Sequence, residues 1–118
     1  MRYLCLVYFE PSRLASFTKS EGAALTNESI AYNEELQRSG RYVLAHALQS
    51  VEEAMTVRVR NGAMSATDGP FAETREVLGG FILIEAPDLN AAVTIAAGIP
   101  LARFGSVEVR PIQEMEKT

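Results

Sequence analysis

The sequence predicts a mixed α+β domain: an antiparallel sheet with two helices on one of its faces. Three observations predict it. First, the runs YLCLVYF (Tyr3–Phe9) and FILIEA (Phe81–Ala86) are apolar on both sides, as central strands are. Second, each run is followed by a segment with helical spacing, up to about Ser39 in the first case and from Asp88 to Gly98 in the second. Third, MTVRVRNGAMSAT lies between the two halves and carries Asn61-Gly62, a pair suited to the positive φ angles of a tight hairpin turn. The order is β-α-β-(hairpin)-β-α-β, which gives a ferredoxin-like βαββαβ arrangement with an inserted hairpin. At 118 residues the chain makes one domain, 1–118, with no linker or repeat.

Each element has its own signal. Pro11 and Ser12 end the first strand. Thr18 and Glu21 have the spacing of a capping box, opening a helix that Gly22 weakens early, so that two short helices are an alternative. Gly40 follows as a left-handed C-terminal cap. In YVLAHALQ, Leu44, His46 and Leu48 share one side of a strand and Val43, Ala45 and Ala47 the other. The hairpin pairs Met55–Arg60 with Ala63–Thr67, and its alternation places Met55, Val57 and Val59 inward and Thr56, Arg58 and Arg60 outward. Asp88 caps a second helix, whose buried stripe is expected to be Leu89, Ala92, Val93 and Ala96. Gly98 and Pro100 stop it. SVEVRPI is a half-exposed last strand, with Val107 and Val109 opposite Glu108 and Arg110.

Composition excludes several function classes. A net charge of −4 is a poor basis for gripping phosphate backbones, so no direct nucleic-acid partner is expected. No run approaches the length needed to cross a bilayer, so no membrane partner is expected, and the N-terminus reads as a strand rather than a signal peptide. The single cysteine, Cys5, lies in a strand as a small hydrophobe, a usage that suits a cytoplasmic location. One His and one Cys make no metal-ligand cluster. Gly79-Gly80 lacks the strand–loop–helix context of a nucleotide fingerprint and reads as a bulge or a close backbone approach, so no cofactor is expected.

Counting faces gives one more expectation. Three strands look apolar on both sides, yet two helices cover one face of a sheet. A second copy is the simplest cover for the other, so the chain is expected to form a sheet-to-sheet homodimer enclosing a cavity.

The stretches TVRVRNG, DGPFAETREVLGGF and GSVEVRPI, in that order, resemble the DGPF subfamily of the bacterial YCII-related proteins, from the first strand to Ile112. The resemblance implies a ferredoxin-like domain that forms a dimeric α/β barrel. The wider family carries a His on its first helix and an Asp beside a Pro after its second, taken as a catalytic pair. The Gly40 and Pro100 landmarks place Ser29 at the His position and Ile99 at the Asp position. An isoleucine cannot ionise and a serine is no base near neutral pH, so an enzyme built on this chain would not use that pair. The resemblance also implies partnership with extracytoplasmic-function sigma factors.

Two functions follow as expectations. One is binding of a small anionic or aromatic molecule in the dimer cavity, with lyase- or isomerase-like proton transfer. The other is a non-catalytic accessory role in a sigma factor system. For proton transfer the candidate residues are His46, the sole histidine, and Asp68, which would fix its tautomer. The plainer alternative packs His46 in a sheet interface and uses Asp68 in an Asp-Gly-Pro turn, its carboxylate accepting from a backbone N–H two residues on. For ligand binding the candidates are Arg75, whose guanidinium suits a carboxylate or phosphate, with Glu73, Thr74 and Tyr8. The alternative pairs Arg75 with a glutamate across the loop or the dimer interface.

Overall fold

The computed structural model describes residues 1–116. Strands β1 (Arg2–Phe9), β2 (Tyr42–Ala47), β5 (Val77–Glu85) and β6 (Gly105–Pro111) form one antiparallel sheet in the order β2-β5-β1-β6. The two strands with continuous apolar runs, β1 and β5, are the central pair. Strands β3 (Met55–Arg60) and β4 (Ala63–Asp68) form a separate two-stranded sheet, the inserted hairpin. Its turn residues Asn61 and Gly62 have φ of 53° and 76°, as the tight turn requires.

The described residues form three α-helices: α1 (Pro11–Ala15), α2 (Lys19–Arg38) and α3 (Leu89–Ala97). Pro11 ends β1 and also opens α1, because a proline at the first helical position forgoes an N–H that has no intrahelical partner there. Gly22 does not split α2. The Thr18 hydroxyl accepts from the Glu21 N–H at 3.1 Å, and the Glu21 carboxylate accepts from the Thr18 N–H at 2.8 Å. This reciprocal cap satisfies two orphan donors and holds the Glu21 carboxyl below its ordinary value, chiefly through the backbone bond. Gly40, at φ 75°, follows the other end. The Asp88 carboxylate caps α3 by accepting from the Ala91 N–H at 2.8 Å.

The core is one side of the sheet against the helices. Tyr3, Cys5 and Val7 of β1 and Ile82 and Ile84 of β5 meet Leu36, Ala92, Ala96 and Ile99, all buried. Alternation sends Leu4, Leu6 and Tyr8 of β1 and Phe81 and Leu83 of β5 to the opposite, uncovered face, where they are half-buried. The Gly79-Gly80 pair sits where β1 and β5 change register: Val7 pairs with Gly80 and Tyr8 with Leu78, leaving Gly79 as the bulged residue. A Cβ on Gly79 would run into the Phe9 ring, and one on Gly80 would lie 2.7 Å from the His46 carbonyl oxygen.

Two expectations are corrected. In β3 the apolar side chains face outward: Met55, Val57 and Val59 are 58, 61 and 60% exposed, while Thr56 and Arg58 are half-buried. The Thr56 hydroxyl donates to the Gly69 carbonyl at 2.8 Å, turning the polar side of the hairpin toward its own base. In α3 the buried positions are Ala92 and Ala96, whose small side chains let the helix sit close to the sheet, whereas Leu89 and Val93 are about half exposed along its flank.

Candidate functional site

A cavity of about 400 Å³ opens between α2 and the helix side of the sheet, a size that suits a small-molecule site. Its floor is made of small residues, Ala45 and Ala47 of β2 and Gly80 of β5, beside Val7 and Ile82. Its roof is the middle of α2, through Leu25, Thr26, Ser29, Ile30 and Asn33. Leu14 of α1, with Ile99, Pro100 and Leu101 at the start of the 3-10 turn Pro100–Arg103, closes the end. The cavity exists because α2 fully buries only Leu36, close to its C-terminus, while small floor residues face the middle of the helix. The Tyr32 hydroxyl donates to the Ile95 carbonyl at 2.6 Å and ties α2 to α3. Elsewhere Arg103 donates to Glu28 at 2.7 Å, and Phe104 packs edge-on against Phe17 at 5.1 Å.

The polar groups offered to a ligand are few and neutral. The Ser29 hydroxyl donates to the Leu25 carbonyl at 2.9 Å and the Thr26 hydroxyl to Gly22 at 3.1 Å, so both keep oxygen lone pairs for accepting. The half-buried Asn33 amide can donate and accept. No carboxylate, lysine or arginine lines the space. His46 and Phe81 border it, but through their main chain. His46 pairs with Phe81, between the pairs Ala45–Ile82 and Ala47–Gly80. Since Ile82 and Gly80 face the helices, alternation turns the His46 ring to the far side of the sheet. There it meets Phe81 edge-on, with centroids 5.9 Å apart.

The structure therefore distributes the sequence-predicted residues over three places. His46 and Tyr8 lie on the uncovered sheet face. Asp68 ends β4, opposite Met55, is exposed, and does not border the cavity. Its carboxylate accepts no hydrogen bond among the described residues; the residue two positions on is Pro70, which has no N–H to give. Arg75, with its side chain 86% exposed, lies 3.4 Å from Glu10, which follows β1, in an ion pair with a partner outside its own loop, and the Thr74 hydroxyl donates to the Glu76 carbonyl at 2.7 Å. Glu73 is exposed in the same loop. The cavity that is present is an intrachain one, and its polar residues Thr26, Ser29 and Asn33 were not singled out as one set from the sequence. Their spacing of three and four along α2 is the signal that places them on one helical face.

A second hollow, lined by Leu89, Val93, Ala96, Ala97, Ala102, Val107 and Val109, offers no polar side chain. Burial pushes the Cys5 thiol up to about 11. Among the described residues no three His, Cys, Asp or Glu side chains gather to hold a metal ion, and no helix is long and apolar enough to cross a membrane.

The family of the YCII-related domain matches residues 1–116. This chain belongs to the YCII-related family. An uncharacterized protein of Rhizobium meliloti (strain 1021) is 32% identical over 114 residues, covering 95% of this chain and 92% of that relative. Among solved structures, 5-chloro-2-hydroxyhydroquinone dehydrochlorinase from Burkholderia phenoliruptrix AC1100, in complex with 2,5-dihydroxybenzoquinone, superposes with a TM-score of 0.56 at 14% identity, over 98% of this chain and 96% of that one. At that identity the likeness is one of fold, and it agrees with the ferredoxin-like arrangement. In this YCII-related chain the positions that the Gly40 and Pro100 landmarks assign to the wider family's His and Asp, Ser29 and Ile99, both line the same cavity.

Proposed function

We propose that this YCII-related protein binds a small, neutral, ring-sized molecule in the cavity under α2. The observation that carries the reading is the lining itself: an apolar space of about 400 Å³ with Ser29, Thr26 and Asn33 as its polar side chains and no charged one. An anion entering it would shed hydration without gaining a counter-charge, which costs several kcal/mol. A ring bearing hydroxyl or carbonyl groups loses little and pairs with Asn33 and Ser29. The quinone bound by the structural neighbour shares the ring size and the hydroxyl and carbonyl groups. Proton transfer of the lyase or isomerase type needs a base, and no side chain of this lining is one near neutral pH. The reading is therefore of a binding site.

Two finer assignments go with it. DGPFAET followed by LGGF supports membership of the DGPF subfamily. The uncovered sheet face, apolar through Leu4, Leu6, Phe81 and Leu83, meets the same face of a second copy, which brings His46 to a sheet interface. The test of the cavity is a calorimetric titration with hydroquinone and, separately, with benzoate. Hydroquinone binds and benzoate does not; Ala45→Phe, which fills the floor, abolishes the heat. Equal binding of both compounds, or binding that survives Ala45→Phe, refutes the reading.

A further inference from the structure

The hairpin β3–β4 is built the wrong way round for a free-standing element. A two-stranded ribbon is at best marginally stable alone and normally turns its apolar side onto a core. Here Met55, Val57, Val59 and, across the ladder, Met64 are 58, 61, 60 and 68% exposed on one side, because Val59 pairs with Met64 and Val57 with Ala66. Strand β4 is exposed along its whole length, and the hairpin packs extensively on no other element among the described residues. Its projection also widens the molecule: the radius of gyration is 16.4 Å, against about 13.5 Å for a chain of this length.

We propose that the hairpin is an arm that lays its Met–Val face on a second copy of this chain. The inference rests on the sheet-to-sheet pairing proposed above, and area argues for it. The uncovered face, three strand spacings wide and about 20 Å long, gives roughly 600 Å² when two copies meet, about half of the roughly 1,200 Å² that a stable interface needs. Four side chains of this size, three-fifths exposed, remove roughly 150–300 Å² per arm, and a similar area on whatever they cover. Two arms thus bring the total into the range of a stable dimer. Charge does not oppose it: the docking side carries one charged residue, Asp68 opposite Met55, while Arg58 and Arg60 lie on the other side of the ladder.

The test mixes protein carrying labelled Met and Val methyls with unlabelled protein and records isotope-filtered NOEs. It is joined to sedimentation equilibrium of wild type, Val57→Arg and Met64→Asp, with amide spectra of each variant to show the sheet is intact. The expected result is intermolecular NOEs from the Met64 methyl and a dimer dissociation constant at least tenfold weaker in both variants. A dimer whose affinity ignores both substitutions, with no intermolecular NOE from Met64, overturns the arm and leaves the sheet pairing standing. A monomer at NMR concentrations overturns both, and the hydroquinone titration, which concerns a cavity within one chain, remains a separate measurement.

Discussion

Replacing Gly98 by alanine probes the brace that sets the height of α2 over the sheet. The added Cβ would lie 2.7 Å from Cζ and 2.9 Å from Cε1 of Tyr32, and against its hydroxyl oxygen. That hydroxyl donates to the Ile95 carbonyl at 2.6 Å, so the ring cannot slide without breaking the tie between α2 and α3. Overpacking of this kind costs about 1–3 kcal/mol. The φ of −84° at Gly98 is open to alanine, and reduced freedom of the unfolded chain returns about 0.4–1 kcal/mol. The net expectation is a loss of about 1–2 kcal/mol. Tyr32→Phe removes only the bond, because the Ile95 carbonyl keeps the Gly98 N–H at 3.0 Å, and costs about 0.5–1.5 kcal/mol. In the double variant the ring is no longer tied to the Ile95 carbonyl and can slide away from the Cβ, so its loss falls short of the sum of the two. Urea denaturation of all four proteins reads these values. Gly98→Ala within about 0.3 kcal/mol of wild type, or strict additivity in the cycle, refutes the reasoning.

Thr18→Ala removes the acceptor of the capping box and lowers stability by about 1 kcal/mol in urea titrations, with Thr18→Ser close to neutral. Cys5 has no exposed surface, and burial holds its thiol at about 11 against an ordinary 9.0. A thiol reagent therefore modifies native protein only at the rate of unfolding. Its linkage term stabilises the fold below pH 9.0 and is lost as pH rises toward 11, a dependence absent from Cys5→Ala. Glu85 is held below the ordinary carboxyl value of 4.5, first by its hydrogen bond from Arg2, and Glu21 by its bonds from Thr18. Both terms are fully present above that value and disappear as pH falls through the lower folded values. The urea midpoint should drop on acidification, and Glu21→Gln, which can still accept from Thr18, should flatten part of that drop.

Short-range chemistry carried much of this fold in the sequence. Thr18 and Glu21 close a capping box, Asn61-Gly62 turns a hairpin, Asp88 caps α3, and the strands with continuous apolar runs, β1 and β5, are central. Each of these depends on residues within a few positions of one another. What alternation does not contain is which side of a strand faces the body. The same MTVRVR pattern serves an inward or an outward apolar face, and the bond from Thr56 to Gly69 selects the outward one. The site was less legible for a related reason. His46 shares its strand with Ala45 and Ala47, and one step of alternation separates the cavity floor from the opposite face. Ser29 was visible as a landmark position, but its grouping with Asn33 and Ile99 needs the placement of α2 over β2 and β5. The Asp68 turn was misjudged because the expected donor position is a proline.

The measurement that bears most directly on the cavity is an amide NMR titration with hydroquinone, assigned by residue. The account predicts shifts gathered at Ser29, Asn33, Ala45, Ala47, Gly80 and Ile99, saturating together and absent in Ala45→Phe. Shifts confined to the loop of Glu73–Arg75 or to the open face around Tyr8, or no saturable change at all, would contradict it.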